Sequence, residues 1–151
     1  MLTVTPFLWF DTQAEEAMNF YASIFPRSKV LSVNRMQGRV LSVEFELEGQ
    51  KFMALNAGPH HTFNEAVSFF VRCETQQEVD DLWAKLTADG GEPGRCGWLK
   101  DKYGLSWQII PNALGRLLNG GDPARSKRVV DVLLQSAKLD ASQLQQAYDA
   151  A

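Results

Sequence analysis

The most constraining feature of this chain is an order of predicted elements that occurs twice. A strand, a helix and three strands are predicted in the first half, and the same order begins again near residue 66. The segments DTQAE (11–15) and ETQQE (74–78) begin the two predicted helices with similar residues. We therefore predict an α+β fold of two tandem β-α-β-β-β modules, at about 1–57 and about 66–111.

In the first module, apolar residues recur at helical spacing between two segments with strand-like composition. Asp11 or Thr12 is the predicted N-cap of that helix, and Pro26 is predicted to end it. Gln37-Gly38 is a predicted hairpin turn. The predicted elements are strand VTPFLWF (4–10), helix DTQAEEAMNFYASIFP, and strands KVLSVNRM, RVLSVEFELE and KFMALNAG.

The second module follows the same plan. Its helix is predicted to end at Gly90-Gly91, because glycine is common at helix C-termini. Asp101 and Gly104 are predicted to form the turn before the last strand. The predicted elements are strand EAVSFFVRC, helix ETQQEVDDLWAKLTADGG with Val79, Leu82, Trp83 and Leu86 on one face, a short strand near Glu92, and strands in CGWLKD and LSWQIIP.

Residues 112–151 are predicted to form a helical C-terminal extension to the 1–111 domain. Asp122-Pro123 and Asp140 are good helix starts, and Val129, Val132 and Leu133 form an apolar stripe. We expect this tail to pack on its own subunit or on a neighbour. No residue in it suggests a catalytic role.

The composition excludes several classes of protein. The 151 residues are 45% hydrophobic and 22% charged, with a net charge of −3, so no basic surface for nucleic acid or anionic lipid is expected. No apolar run reaches the roughly 20 residues of a membrane helix, and no secretory leader is recognised at the N-terminus. Cys73 and Cys96 have no metal-binding or disulfide spacing, so we expect reduced thiols and a cytoplasmic location.

Gln108 is a lone polar residue in the apolar run of the last strand of the second module. A buried amide without partners costs on the order of 1–3 kcal/mol, so a side chain of this kind needs hydrogen bonds. Three roles are open for Gln108. It could be structural, with hydrogen-bond partners such as Ser68 or Thr5; it could bind a ligand; or it could occupy the place of a metal-binding carboxylate. The sequence does not separate these alternatives.

Four segments carry a family resemblance: PFLWFDTQAEEAMNFYASIFP, LNAGPHHTFNEAVSFFVRC, EVDDLWAKL and CGWLKDKYGLSWQIIP. With the tail segment RVVDVLLQSAKLD, they resemble the PhnB-like branch of the vicinal oxygen chelate superfamily, which is labelled 3-demethylubiquinone-9 3-methyltransferase. The superfamily includes glyoxalase I and the bleomycin-resistance proteins. The resemblance implies a glyoxalase-like cup-shaped sheet, completed in a homodimer.

The resemblance also implies where a metal would bind. Metal-using members carry ligands on the first and last strands of each module, which here fall at or near Thr5, Ala54, Ser68 and Gln108. Divalent sites prefer imidazole and carboxylate ligands, and these residues supply neither. We therefore expect no metal and no cofactor.

A pocket without metal would still bind a small, partly apolar molecule. Alternate residues of a strand point to the same face of the sheet, so Thr5, Phe7 and Trp9 should share one face, and Ser68 and Phe70 should share another. The aromatic rings on these faces either line a pocket or fill the core. Trp98 is a possible lid. The predicted ligand-binding residues are Thr5, Phe7, Trp9, Asn56, Asn64, Ser68, Phe70, Trp98 and Gln108.

The loop GPHHTFNE is the most polar connection and contains both histidines. It is a solvated loop, or His60 and His61 serve acid–base chemistry at the rim of the pocket. Asn64 and Glu65 either close over a ligand or cap the turn before the next strand.

These features favour a small-molecule-binding protein over an enzyme. No GxSxG motif is present, and the glycines do not form the strand-to-helix loop that binds S-adenosylmethionine. The alternatives are a metal-assisted reaction with unusual ligands such as His60, His61 and Glu65, the methyl transfer of the family label, or a scaffold whose cup is filled by side chains.

Overall fold

The computed structural model describes residues 1–150, which form two compact units divided between Thr62 and Phe63. The element order confirms the predicted repeat. The first unit contains β1 (Phe7–Phe10), α1 (Ala14–Ile24), β2 (Ser28–Met36), β3 (Arg39–Leu47) and β4 (Gln50–Asn56). The second contains β5 (Ser68–Cys73), α2 (Gln76–Thr87), β6 (Glu92–Pro93), β7 (Trp98–Lys100), β8 (Ser106–Pro111), α3 (Asn112–Leu118), α4 (Pro123–Gln135) and α5 (Ala141–Asp149).

Both sheets have the same topology. The first has the strand order β1-β4-β3-β2 and the second β5-β8-β7-β6, with the outer pair β1–β4 or β5–β8 parallel and the others antiparallel. A parallel pair requires a long crossover, and α1 or α2 lies within that connection in each unit. This equivalence is what the sequence repeat predicts.

The first unit buries one face of its sheet against α1. Met18 and Tyr21 of the helix pack on the sheet, where the Phe45 and Phe52 rings stack with centroids 5.4 Å apart. Gln37 and Gly38 have positive φ angles of 53° and 78°, which confirms the predicted tight turn between β2 and β3.

The start of α1 differs from the prediction. Its N-cap is Gln13, and neither Asp11 nor Thr12 caps it; the N–H of Ala14 donates instead to Asn56 Oδ1 at 2.8 Å. The cap is therefore supplied by β4, which is distant in sequence. The strand β1 also begins at Phe7 rather than at residue 4.

In the second unit, α2 begins with a complete capping box formed by Thr75 and Glu78. It ends at Thr87, before the glycines predicted to stop it, and the turn continues through Asp89 and Gly90 with positive φ angles of 55° and 107°. Burial raises the pKa of the Cys73 thiol, at the end of β5, to about 11. The Cys73 side chain is part of the buried core.

The predicted tail helices are confirmed as α3, α4 and α5, and Asp122 and Asp140 cap α4 and α5. The tail belongs to the second compact unit. Its apolar cluster, which we call the tail core, includes one residue of β8: the cluster consists of Ile110, Leu114, Leu117, Val129, Leu139 and Leu144. Within residues 1–150, no helix combines the length and apolarity needed to cross a membrane.

Candidate functional site

One face of the second sheet is buried and apolar, and the other carries several polar side chains. Trp107 and Ile109 of β8 and Leu99 of β7 are buried on the side that packs against α2. The residues that alternate with them point to the opposite side. We call this side the open face of the second sheet; its residues are Ser68, Phe70, Trp98, Lys100, Ser106 and Gln108.

Gln108 lies at the centre of this face. Its Nε2 donates to Ser68 Oγ at 2.9 Å, which is one of the two partners expected for a structural role. Within residues 1–150, Gln108 Oε1 accepts no hydrogen bond. The side chain is therefore held in place through its amide nitrogen, and its carbonyl oxygen remains available to a ligand.

Two aromatic rings flank this amide. In the strand register, Gln108 is paired with Phe70 of β5 on one side and with Trp98 of β7 on the other. Phe70 is 52% exposed, so its ring does not fill the core. The Arg72 guanidinium lies over this ring, 5.5 Å from its centroid. A flat or apolar molecule would find ring surface on both sides of a hydrogen-bonding group.

Beside Trp98 lies a cavity of about 340 Å³, which we call the Ser106 cavity. Glu65 and Lys100, which both line this cavity, form an ion pair in which their side chains are 58% and 39% exposed. The hydrogen bond between them lowers the pKa of Glu65 and raises that of Lys100. The cavity is lined by Glu65, Glu92, Pro93, Gly94, Arg95, Trp98, Leu99, Lys100 and Ser106.

Several predicted ligand-binding residues belong to the first unit. Phe7 and Trp9 lie on the face of β1 opposite the buried Leu8 and Phe10, and Phe7 is 52% exposed. Trp9 Nε1 donates to Gly58 O at 2.9 Å. Thr5 lies before β1, outside any strand. These residues are in one compact unit and the Gln108 group is in the other.

Asn56 lies on the helix side of its sheet, away from Phe7 and Trp9. Its Oδ1 accepts from Ala14 N, as described above, and its Nδ2 donates to Val40 O at 3.2 Å. Both ends of the amide hold backbone groups in place, so Asn56 has a structural role at the start of α1.

The polar loop divides between the two units. The His61 ring contacts the Trp9 ring edge to face, with centroids 4.7 Å apart. Asn64 Oδ1 accepts from Ala66 N at 2.9 Å, which is the turn-capping arrangement considered from the sequence. Glu65 instead reaches Lys100 at the cavity.

Sequence reasoning missed Lys100, Arg95 and Ser106 as site residues. Lys100 is two residues from Trp98, and Ser106 is two residues from Gln108. Because residues two apart in a strand point to the same face, the alternation along β7 and β8 could have predicted both. Arg95 lies in the turn between β6 and β7, and its position carries no such signal.

The positions aligned with metal ligands do not fit a metal ion. Ala54 is completely buried on the α1 side of its sheet, and the neighbouring position is Leu55, which has no donor atom. Ser68 and Gln108 are bonded to each other through a hydroxyl and an amide. In residues 1–150, no group of three or more His, Cys, Asp or Glu side chains is placed to bind a metal.

The 2.9 Å contact between Gln108 and Ser68 predicts that a metal-binding pair can be built there. In the double variant Gln108→Glu, Ser68→His, we expect Zn²⁺ to bind on the order of tenfold more tightly than in either single variant, because a carboxylate and an imidazole would then be adjacent. Isothermal titration calorimetry of the three variants measures this difference. Equal affinities would contradict the placement of the two side chains.

Comparison with known proteins agrees with this architecture. The family model described as 3-demethylubiquinone-9 3-methyltransferase matches residues 2–110, so the helical tail lies outside the match. A search of curated proteins gave no match. The solved PhnB protein from Bacillus cereus, which bears the same methyltransferase label, is 37% identical; the match covers 73% of this chain and 99% of that one, with a TM-score of 0.68.

More distant structures share the fold. A glyoxalase/bleomycin resistance protein from Albidiferax ferrireducens T118 is 12% identical over 74% of this chain and 99% of that one, with a TM-score of 0.52. A glyoxylase/bleomycin resistance protein/dioxygenase domain from Frankia sp. EAN1pec is 13% identical over 74% and 92%, with a TM-score of 0.50. The chain therefore belongs to the PhnB-like 3-demethylubiquinone-9 3-methyltransferase family and shares the fold of the glyoxalase/bleomycin resistance proteins.

Proposed function

We propose that this protein binds a small, partly apolar molecule on the open face of its second sheet, and that it does so as a cytoplasmic homodimer. The observation that carries the proposal is the row Phe70–Gln108–Trp98, in which an anchored amide with an unused carbonyl lies between two rings. Small-molecule sites are commonly built in this way, from apolar surface with a few polar groups.

The residues do not fit the cofactor that the methyltransferase label implies. Phosphate- and nucleoside-binding loops between a strand and a helix use glycine so that the backbone approaches the ligand closely. Here β1 and β5 are connected to their helices by Asp-Thr-Gln at 11–13 and Glu-Thr at 74–75, whereas β8 leads directly into α3 with no intervening loop. Neither contains glycine and both contain an acid, which favours binding over methyl transfer.

Exposed apolar side chains support self-association. Phe7 in the first unit and Phe70 in the second are each 52% exposed, and Val30 and Leu31 are exposed on β2, at the edge of its sheet. Such edges and patches are commonly covered by a second copy in dimers. Both cysteines are free, which is compatible with a reducing compartment.

Native mass spectrometry of untagged protein tests the proposal. We expect a dimer of about 34 kDa, twice the 16.9 kDa of one chain, carrying a small organic adduct. Trp98→Ala should lose the adduct because it removes one ring of the site, whereas Phe20→Ala, a control in the other unit, should retain it. A chelator-removable metal, or an adduct unaffected by Trp98→Ala, would contradict the proposed site.

A further inference from the structure

Ser106 has a buried hydroxyl without a partner. The residue is completely buried, and within residues 1–150 its Oγ makes no hydrogen bond. Its neighbours Leu105 and Trp107 are also buried, and strand alternation directs Ser106 to the other side, where it is paired with Lys100 and Ser68. Buried polar groups are nearly always hydrogen-bonded, so an unpartnered hydroxyl that lines a cavity is a candidate contact for a bound molecule.

The charges around the cavity are balanced. Lys100 and Arg95 are basic, and Glu65 and Glu92 are acidic. The ion pair between Lys100 and Glu65 is largely exposed, and exposed pairs of this kind contribute little to stability. A ligand would therefore separate these two side chains at little cost, provided that each of them finds a new partner.

We propose that the Ser106 cavity binds a small zwitterion, a molecule with one ammonium group, one carboxylate and an apolar body. A zwitterion would replace the single Lys100–Glu65 pair by two pairs, its carboxylate with Lys100 and its ammonium with Glu65. A ligand with only one charge would form only one of these two pairs. The Ser106 hydroxyl would hydrogen-bond the charged end of the ligand.

Trp98 connects this inference to the proposed function, on which it rests. The Trp98 side chain lines the cavity and also belongs to the open face, next to Gln108. The apolar body of the ligand would lie against this ring while its charged groups occupy the cavity. The volume of about 340 Å³ is within the range of small-molecule pockets.

A series of three compounds with the same ring tests the charge requirement. L-phenylalanine carries both charges, 2-phenylethylamine only the positive one, and 3-phenylpropanoate only the negative one. We expect L-phenylalanine to bind about tenfold more tightly than either analogue at low ionic strength, because charged hydrogen bonds form at both ends. Binding is measured by the shifts of the Lys100 and Ser106 amide signals in ¹H–¹⁵N NMR titrations of the full chain.

Three variants identify the groups responsible. Ser106→Ala, Glu65→Gln and Lys100→Met should each weaken binding of L-phenylalanine by about fivefold or more. The matched controls Glu74→Gln and Lys85→Met remove exposed charges elsewhere in the second unit and should leave it unchanged. The Ser106→Ala variant should keep its folded NMR spectrum, since the Ser106 hydroxyl makes no hydrogen bond to lose.

The outcomes separate this inference from the proposed function. Equal binding of all three compounds would overturn the zwitterion inference while leaving small-molecule binding at Trp98 in place. No binding of any of the three would also overturn it, and the adduct found by native mass spectrometry would still decide the proposed function independently. Binding that the three variants do not change would place the ligand outside this cavity.

Discussion

Replacing Asp101 with alanine is expected to lower the free energy of unfolding by about 3–5 kcal/mol. The carboxylate is buried; its Oδ1 accepts from the backbone N–H groups of Tyr103 and Leu105, at 2.9 and 3.1 Å, and its Oδ2 accepts from Trp107 Nε1 at 3.0 Å. Hydrogen bonds to a charged group contribute more than neutral ones, and their donors would lose an acceptor in the variant.

The turn built by Asp101 also positions the site. It connects β7 to β8, and the register of these strands places Trp98 opposite Gln108. The Asp101 carbonyl accepts from Gly104 N at 2.9 Å, and Gly104 has a φ angle of 86°, which glycine adopts without strain. The turn role predicted for Asp101 and Gly104 is confirmed, and it extends to the buried indole of Trp107.

Urea unfolding followed by circular dichroism measures this effect. Asp101→Asn should be intermediate, with a loss of about 1–3 kcal/mol, because its amide keeps one acceptor but directs a donor toward another donor. Asp81→Ala, an exposed control on α2, should change stability by less than about 0.5–1 kcal/mol. A loss below about 1 kcal/mol for Asp101→Ala would show that the hydrogen bonds to this carboxylate do not stabilise the fold.

The second large effect is expected from Leu139→Ala, with a loss of about 2–5 kcal/mol. Leu139 is completely buried in the tail core, and truncation would leave a cavity among closely packed side chains. The matched control is Leu134→Ala, which truncates a leucine of the same tail that is 57% exposed and should change stability by about 0.5 kcal/mol or less.

Leu139 also lies where the tail contacts the segment before β7. The N–H groups of Cys96 and Gly97 donate to the carbonyls of Ser136 and Ala137, at 2.7 and 2.9 Å. Gly97 has a φ angle of 85°, and a Cβ there would lie 3.1 Å from Leu139 Cδ1. Since Trp98 follows directly, the tail contributes to the position of a site residue.

The same urea experiment shows whether the tail unfolds together with the second sheet or in a transition of its own. A single unfolding transition, shifted in Leu139→Ala, would show that the tail folds together with the second sheet. Nearly equal stabilities of Leu139→Ala and Leu134→Ala would contradict the packing described here. The NMR signals of Trp98 should also shift in Leu139→Ala and not in Leu134→Ala.

Local sequence patterns were sufficient for most of the fold. Helical and strand periodicity, the turn at Gln37-Gly38 and the caps Asp122 and Asp140 all depend on residues within a few positions of one another. The duplicated element order then predicted the matching topology of the two sheets. The tail helices followed from the same rules.

Two expectations differ from the structure because their outcome depends on residues that are distant in sequence. The N-cap of α1 was expected from Asp11 or Thr12, yet Asn56 of β4 supplies the acceptor. The metal-ligand alignment placed Ala54 in the site, whereas the strand directs it into the core beside Val43. In each case the structure depends on a contact with a residue distant in sequence, which a local sequence pattern does not indicate.

By itself, the sequence determined the repeated modules, the helical tail and the set of side chains on the last strand, because periodicity and turn chemistry are local. Only the tertiary structure decided that Gln108 bonds to Ser68, that Glu65 meets Lys100, and that the Ser106 hydroxyl has no partner. These relations depend on strand register and on the path of the loop before β5. Strand register and loop path depend on packing throughout the second unit. The site residues therefore become neighbours only in the folded sheet.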